Sequence, residues 1–325
     1  MNENARLAAL GASGAIALYL VVTSVLGIYW SFEPKQFEPA KAVAAHAKHH
    51  SERIVPGYAA AVTAVELTNR LLDKPGGFVA NDKLPPGAWL DNMPSFEQGA
   101  ILQLRDFALV MRNDFSRAQS QTGEDQDLVE VQGQLQIDTD SWAFPSAEGA
   151  YRSAADHLNN YASRLGSGNP GEAQFYARAD NLSEWLGLVQ KRLGSLTQAL
   201  SQSVARNPSS VIAANTPGAM INARPTRWAE RDDVFYEARG QAWALIHLTK
   251  AVQADFADVL AKKNATVNME NIVRELEPTQ DAIWSPIILN GDGFGLVANH
   301  SLVMAAYLAR ANAAVIQLRE LLARG

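Results

Sequence analysis

Phe175–Leu200 reads FYARADNLSEWLGLVQKRLGSLTQAL, and the placement of its apolar residues decides the fold class. Phe175, Ala179, Leu182, Leu186, Val189, Leu193, Leu196 and Leu200 step by alternating four and three residues. That spacing lines one face of an α-helix and lets neighbouring helices lie side by side at about 20°. A strand cannot use it, because side chains there change face at every residue.

The same pattern returns twice at full length. Phe235, Ala238, Ala242, Leu245, Thr249, Val252, Phe256 and Val259 carry it. So do Val297, His300, Met304, Tyr307, Ala311, Ala314, Leu318 and Leu321, while Tyr151, Ala155, Leu158, Ala162 and Leu165 form a shorter version. The predicted fold is therefore all-α: an N-terminal transmembrane helix followed by an elongated antiparallel helical bundle. Helices of about 30 residues would be about 45 Å long.

Working outward, Tyr58, Ala61, Val62, Val65 and Leu72 predict a helix stopped near Asp73 by Lys74-Pro75-Gly76-Gly77. After a loop containing Pro85-Pro86-Gly87 and Pro94, Ser95 is the expected cap of the next helix, with Gln98 in the capping-box position. Its buried stripe is Ala100, Leu104, Phe107, Met111 and Phe115. Leu128–Ile137 alternates like a strand at Val129, Val131, Leu135 and Ile137. One strand without a partner forms no sheet, so a helix is the better reading.

Breaks are expected at 166–170, 207–227 and 278–295. The resulting division is a transmembrane anchor over 1–32, a juxtamembrane linker and helix over 33–56, one half of the bundle over 57–205, a connecting loop over 206–227 and a second half over 228–325.

The N-terminal segment Leu7–Trp30, LAALGASGAIALYLVVTSVLGIYW, contains no charged residue. Its length of about 36 Å exceeds the ~30 Å hydrocarbon core of a bilayer. Tyr29 and Trp30 end it, where amphipathic rings favour the headgroup level. A cleaved signal peptide would have a shorter apolar region and a small-residue cleavage site, so residues 7–30 are read as a retained span in the lipid bilayer. Ala8/Ala12, Gly11/Ala15 and Ser13/Ala17 offer a small-residue face on which two spans can pack, although such residues are common in membrane helices.

The 325-residue chain is 47% hydrophobic and 19% charged, with a net charge of −6. An acidic balance gives no sequence-wide attraction to nucleic acid, and none is expected as a partner. The absence of cysteine excludes disulfides, cysteine-ligated metals and thiol nucleophiles. It also suits an oxidising compartment. Lys35, Lys41 and Lys48 follow the span against Arg6 before it, which taken alone favours a cytoplasmic bundle; long domains, however, translocate largely regardless of charge. The bundle is expected outside the cytoplasm.

At Asn81-Asp82-Lys83-Leu84-Pro85-Pro86-Gly87 with Leu90-Asp91-Asn92-Met93-Pro94, and again at Asp232–Gly240, the chain resembles a proteobacterial family of single-span inner-membrane proteins classed only as a domain of unknown function. The resemblance covers the whole chain and implies a Gram-negative envelope setting, with the bundle in the periplasm. That family carries no assigned activity, so no functional residues transfer from it.

His46, His49 and His50 have helical spacing that can gather imidazoles, yet a structural metal site usually needs four ligands, and a solvated helix is favoured. No metal and no cofactor are expected. The glycine-rich turn Asn290–Gly295 lacks the lysine and hydroxyl residue of a nucleotide loop and reads as an interhelical turn. Arg224, Arg227 and Arg231 around Trp228 form a candidate site for carboxylates, phosphates or sugars, weighed against an ordinary solvated helix start. Asp91-Asn92 with Glu97, or Asp138 with Asp140, are candidate carboxylates, although Asp and Asn in proline-rich turns are normally structural. The binding residues to be tested are Asp91, Asn92, Arg224, Arg227, Trp228 and Arg231, with no catalytic residue assigned.

The expected role is a membrane-anchored, extracytoplasmic helical scaffold or partner-binding protein of the bacterial inner membrane, working with a protein partner or as a homo-oligomer. The alternative is an anchored hydrolase acting on cell-wall glycan or peptide. A non-enzymatic role is the favoured reading.

Overall fold

The structure, a computed structural model, describes residues 3–117, 123–169, 171–204, 226–227, 230–285, 287–291 and 296–324. The chain order is α1 (Glu3–Trp30), α2 (Pro39–His50), α3 (Tyr58–Leu72), α4 (Asn92–Val110), α5 (Gln126–Leu135), α6 (Ala147–Gly166), α7 (Ala179–Val204), α8 (Arg231–Asp255), α9 (Ala257–Lys262), α10 (Thr266–Leu276) and α11 (His300–Ala323). Short 3₁₀ turns lie at Gly87–Trp89 and Glu277–Gln280, and a π turn at Met111–Phe115 prolongs α4. Among the described residues the only β pairing is a single bridge between Asn290 and Asn299. The all-α expectation holds.

One apolar core runs through the bundle, and the periodic residues supply it: Leu182, Leu186, Val189, Leu193, Leu196 and Leu200 of α7 are all buried. So is the α4 stripe of Ala100, Leu104, Phe107, Met111 and Phe115. Ion pairs and close approaches set the directions. Asp73–Arg152 and Tyr58–Gly166 make α3 and α6 antiparallel. Arg319 beside Gly187 and Asn312 beside Gly194 do the same for α7 and α11. One pair departs from the expected antiparallel order. Ser95 bonds Asp233 and Phe115 packs on Phe256, so α4 and α8 run parallel. Only helices joined by short loops must alternate in direction, and these two are far apart in the chain.

Three helix boundaries and one buried face differ from the sequence expectation. Helix α4 starts at Asn92, because the Asp91 carboxylate accepts the Asn92 N–H at 2.8 Å. Pro94 then falls in the first helical turn, where its missing N–H is tolerated. Ser95, expected as the cap, instead donates to Asp233 at 3.0 Å. Phe175 is a core residue without being helical: its ring packs on Phe115 and Phe256 at centroid distances of 5.2 and 5.5 Å, while the Tyr176 N–H donates to the Phe115 carbonyl. Helix α8 breaks at Phe256 before α9, so Val259 lies in a different helix from the rest of its stripe. In α11 the buried positions are Ser301, Met304, Ala305, Leu308, Ala311, Val315, Leu318 and Leu322, which share three residues with the expected face. Tyr307, Ala314 and Leu321 flank that face, and Val297 is exposed.

By length and composition two helices among the described residues suffice to cross a membrane, Leu10–Trp30 of α1 and α11. Their surroundings differ. Helix α11 turns one face into the core against α7 and α10, whereas α1 shows its apolar side chains almost all round.

Candidate functional site at the junction of α1 and the bundle

Helix α1 ends where the Ser31 N–H and hydroxyl both bond the Gly27 carbonyl, at 3.0 and 2.8 Å. Trp30 lies on Gly76, whose φ of +85° and missing Cβ make room for the indole. Residues 32–38 then run as an extended strap along α8. Three fastenings hold it.

The first is Glu33, which accepts from Arg239 Nε at 2.7 Å. Arg239 is buried and spends its remaining donors on the carbonyls of Thr279, Gln280 and Asp281, at 2.6–3.1 Å. One guanidinium therefore closes both the strap and the 3₁₀ turn after α10.

The second is Phe37. Its ring stacks on buried His247 at 4.2 Å and 17°, with Arg70 over its other side at 4.6 Å. His247 Nδ1–H donates to the Trp243 carbonyl at 2.7 Å, so Nε2 is the lone pair that accepts the Phe37 N–H at 3.1 Å. Burial pushes the imidazole down to about 4, and the ring is neutral. The third fastening is Lys250, which reaches Glu38 at 3.7 Å and Glu277 at 3.1 Å.

Beside the strap opens a groove of about 710 Å³, between the end of α1 and the C-terminal half of α3. Tyr29 and Phe32 form an aromatic wall. Glu66, Asn69, Arg70 and Lys35 provide polar groups of both signs, with Arg70 and Glu66 paired at 2.7 Å. Behind it, Lys74 and Glu97 form a fully buried ion pair at 2.8 Å. Glu97 also accepts the N–H groups of Val79 and Ala80, and burial raises its carboxyl to about 7 against the pull of Lys74 and those amides. This pair pins the turn after α3 to α4, out of reach of a substrate.

Of the residues singled out from sequence, Asp91 is the exposed cap of α4, and Asn92 is half-buried with its Oδ1 unpartnered. Asp91 stands near the start of α8, where its charge helps raise Asp233, although burial is the larger cause. Arg231 is the first residue of α8. Arg227 is largely exposed and faces Glu230 at 3.7 Å. Arg224 and Trp228 lie outside the described residues, as do residues 292–295 of the glycine-rich turn. His46 uses both ring nitrogens, on Tyr58 Oη and Asn159 Oδ1 at 2.8 Å each, while the Tyr58 hydroxyl donates to Glu52. Those nitrogens are thereby withdrawn from metal ligation, and among the described residues no group of three metal-capable side chains occurs. His300 accepts the Leu289 N–H at the start of α11. His157 sits 2.9 Å from Asp127, whose other oxygen takes Arg164.

Arg239, Lys74 and Asp255 received no functional role from the sequence, in which His247 reads equally as a core histidine or a base. Asp255 is buried at the end of α8 and accepts the N–H groups of Ala59 and Ala60 at 3.3 and 2.7 Å. It thus caps α3 from across the core, where burial raises its carboxyl to about 7 against the pull of those amides.

The arrangement at the junction holds and orients, and its groove offers aromatic surface and charges of both signs for contact. No curated protein and no solved structure matches the chain. The model of one family, described as an uncharacterized protein conserved in bacteria, DUF2333, matches residues 3–325, and the chain belongs to that family.

Proposed function

We propose that the protein is a single-pass bacterial inner-membrane scaffold whose helical bundle, in the periplasm, is held at a fixed attitude on the bilayer and binds a protein partner or a second copy there. The observation that carries this reading is the fastened strap. A tethered enzyme that searches for substrate needs a flexible linker, whereas here Glu33, Phe37 and Glu38 bond α8 within a few residues of the end of α1. Helix α1 supports the membrane assignment through its length, its apolar exposure and its terminal Tyr29 and Trp30. The groove beside the strap would present Tyr29, Phe32 and Arg70 at the membrane surface, residue types that anchor interfaces.

The test is photo-crosslinking in intact cells from Phe32 and Lys35, with positions on α6 and α7 for comparison. The expected product is a discrete adduct, with a partner or a second copy, formed from the groove. Only uncrosslinked monomer at every position would overturn the reading. Single cysteines on α6 that a membrane-impermeant maleimide fails to label in intact cells would place the bundle in the cytoplasm.

A further inference from the structure

Most of α1 faces outward, but from Leu10 to Tyr29 two residues do not. Thr23 is 4% exposed and Gly27 is buried, while Val21, Val22, Val25, Leu26 and Ile28 around them are open. Residues 23 and 27 share one helical face. The residues over Gly27 are Pro86 and Leu90, at van der Waals distance from the position of its missing side chain, 3.6 and 3.8 Å. The loop between α3 and α4 is therefore packed onto α1 inside its apolar segment. Gly27 lies three residues before Trp30, about 4.5 Å along the axis, and Thr23 about 10 Å. Whatever solvent surrounds that part of α1 also surrounds the loop.

The loop suits an apolar solvent. Leu84-Pro85-Pro86-Gly87-Ala88-Trp89-Leu90 carries no charged or amide side chain, and Lys83 stands at its base. Leu84 is 77% exposed and Trp89 53%. The backbone is unusually self-sufficient: Pro85 and Pro86 have no N–H, and the N–H groups of Ala88, Trp89 and Leu90 bond to Leu84, Pro86 and Gly87 within the loop at 3.0–3.1 Å. Irregular backbone is excluded from hydrocarbon by unpaired donors, and three of the five N–H groups in this turn are paired within it, leaving those of Leu84 and Gly87. Its base is rigid, since buried Asn81 donates to the Ser141 carbonyl and to Glu148.

We propose that Leu84–Leu90 is an apolar wedge that enters the same bilayer leaflet as the C-terminal end of α1, with Trp89 at the headgroup boundary and Lys83 reaching back to water. The occupant of this exposed surface is phospholipid, by continuity with the face of α1 on which the loop packs. The inference rests on α1 being the membrane span. It gives the protein two points of entry into one leaflet, so that the bundle can neither swing about α1 nor lift from the surface.

The absence of native cysteine allows a direct test. Single cysteines replace Leu84, Trp89, Ile16 within α1 and the exposed Lys191 of α7, and the full-length chain carries an environment-sensitive fluorophore at each. After reconstitution in phosphatidylcholine–phosphatidylglycerol vesicles, nitroxide-labelled lipid is expected to quench the probes at 84, 89 and 16 several-fold, leaving the probe at 191 unchanged. Quenching at 16 with water-like, unquenched emission at 84 and 89 overturns the wedge and leaves the span standing. Loss of quenching at 16 removes both. Blue-shifted emission at 84 that lipid nitroxide does not reach means protein covers the loop, and overturns the wedge in favour of a second copy.

Discussion

Gly240 of α8 stands so close to Phe96 of α4 that a methyl group at position 240 would overlap the Phe96 carbonyl oxygen. One turn along, Gly99 meets the Glu237 carbonyl in the same way, so the two parallel helices touch backbone to backbone. Alanine at 240 would gain about 1 kcal/mol of helix propensity if the space were open. Because backbone cannot step aside as a side chain does, Gly240→Ala is expected instead to lose about 1–3 kcal/mol. Urea unfolding of the full-length protein in nanodiscs measures it, and a gain in stability would disprove the close approach.

The strap makes a kinetic prediction. Lys35 is exposed between the Glu33 and Phe37 fastenings, so trypsin reaches the bond after it only when the strap lifts. Phe37→Ala removes the ring held between His247 and Arg70, and Glu33→Gln removes the charge facing Arg239. Each is expected to speed cleavage at Lys35 on the order of tenfold, the equivalent of about 1.4 kcal/mol. Cleavage rates equal to wild type would mean that the strap is loose already.

Two buried groups give opposite pH dependence. Burial raises the Asp255 carboxyl to about 7 from its ordinary 3.8, so the folded protein binds the proton more tightly than the unfolded chain. Its contribution is complete below pH 3.8 and is lost as pH rises towards 7. His247 is lowered to about 4 from 6.5, so its contribution is present above 6.5 and is lost as pH falls towards 4. The two trends offset each other in the wild type. Between pH 5 and 7.5, stability measured for Asp255→Asn is expected to rise by about 2 kcal/mol relative to wild type. His247→Gln should tilt the other way by a similar amount. Parallel pH profiles for all three proteins would rule out both assignments.

Tyr58→Phe should cost about 1–3 kcal/mol, because the fully buried hydroxyl serves His46 and Glu52 together and both lose their partner. Thermal unfolding of the variant beside the wild type reads it directly. An unchanged midpoint would show that water replaces the hydroxyl.

The helices were legible wherever one side of a cylinder is oily over several turns, as in α6 and α7; α8 shows a stripe too, but from Ala238 to Thr249 it is buried on every side, which the stripe alone does not reveal. What sequence could not show is direction and contact. The parallel pairing of α4 with α8 depends on glycines 99 and 240, and nothing local marks those two glycines from any other. Ser95 had the right chemistry for a helix start, yet Asp91 won because its carboxylate reaches the amide of Asn92 while the serine hydroxyl is drawn to Asp233. Helix α10 was not anticipated at all. Its buried set, Met269, Ile272, Val273 and Leu276, has full helical spacing with Pro278 as a stop just beyond it, so the signal was present in the sequence and was passed over. In sequence the Leu84–Leu90 turn is a proline-rich loop like any other, since its position beside Gly27 exists only in three dimensions. Lys74, Arg239 and Asp255 were unreadable for one reason: each finds its partner in a different element, and a lone charge in a sequence announces no destination.

Ala59 and Asp255 are 196 positions apart, and the carboxylate of the second closes the first turn of α3. Glu33 and Phe37 wait in the same way for Arg239 and His247. A polypeptide delivered from its amino end therefore cannot finish its earliest helices until more than three-quarters of it has emerged. During that interval the unsatisfied amides and the bare strap are what a chaperone or protease would meet first.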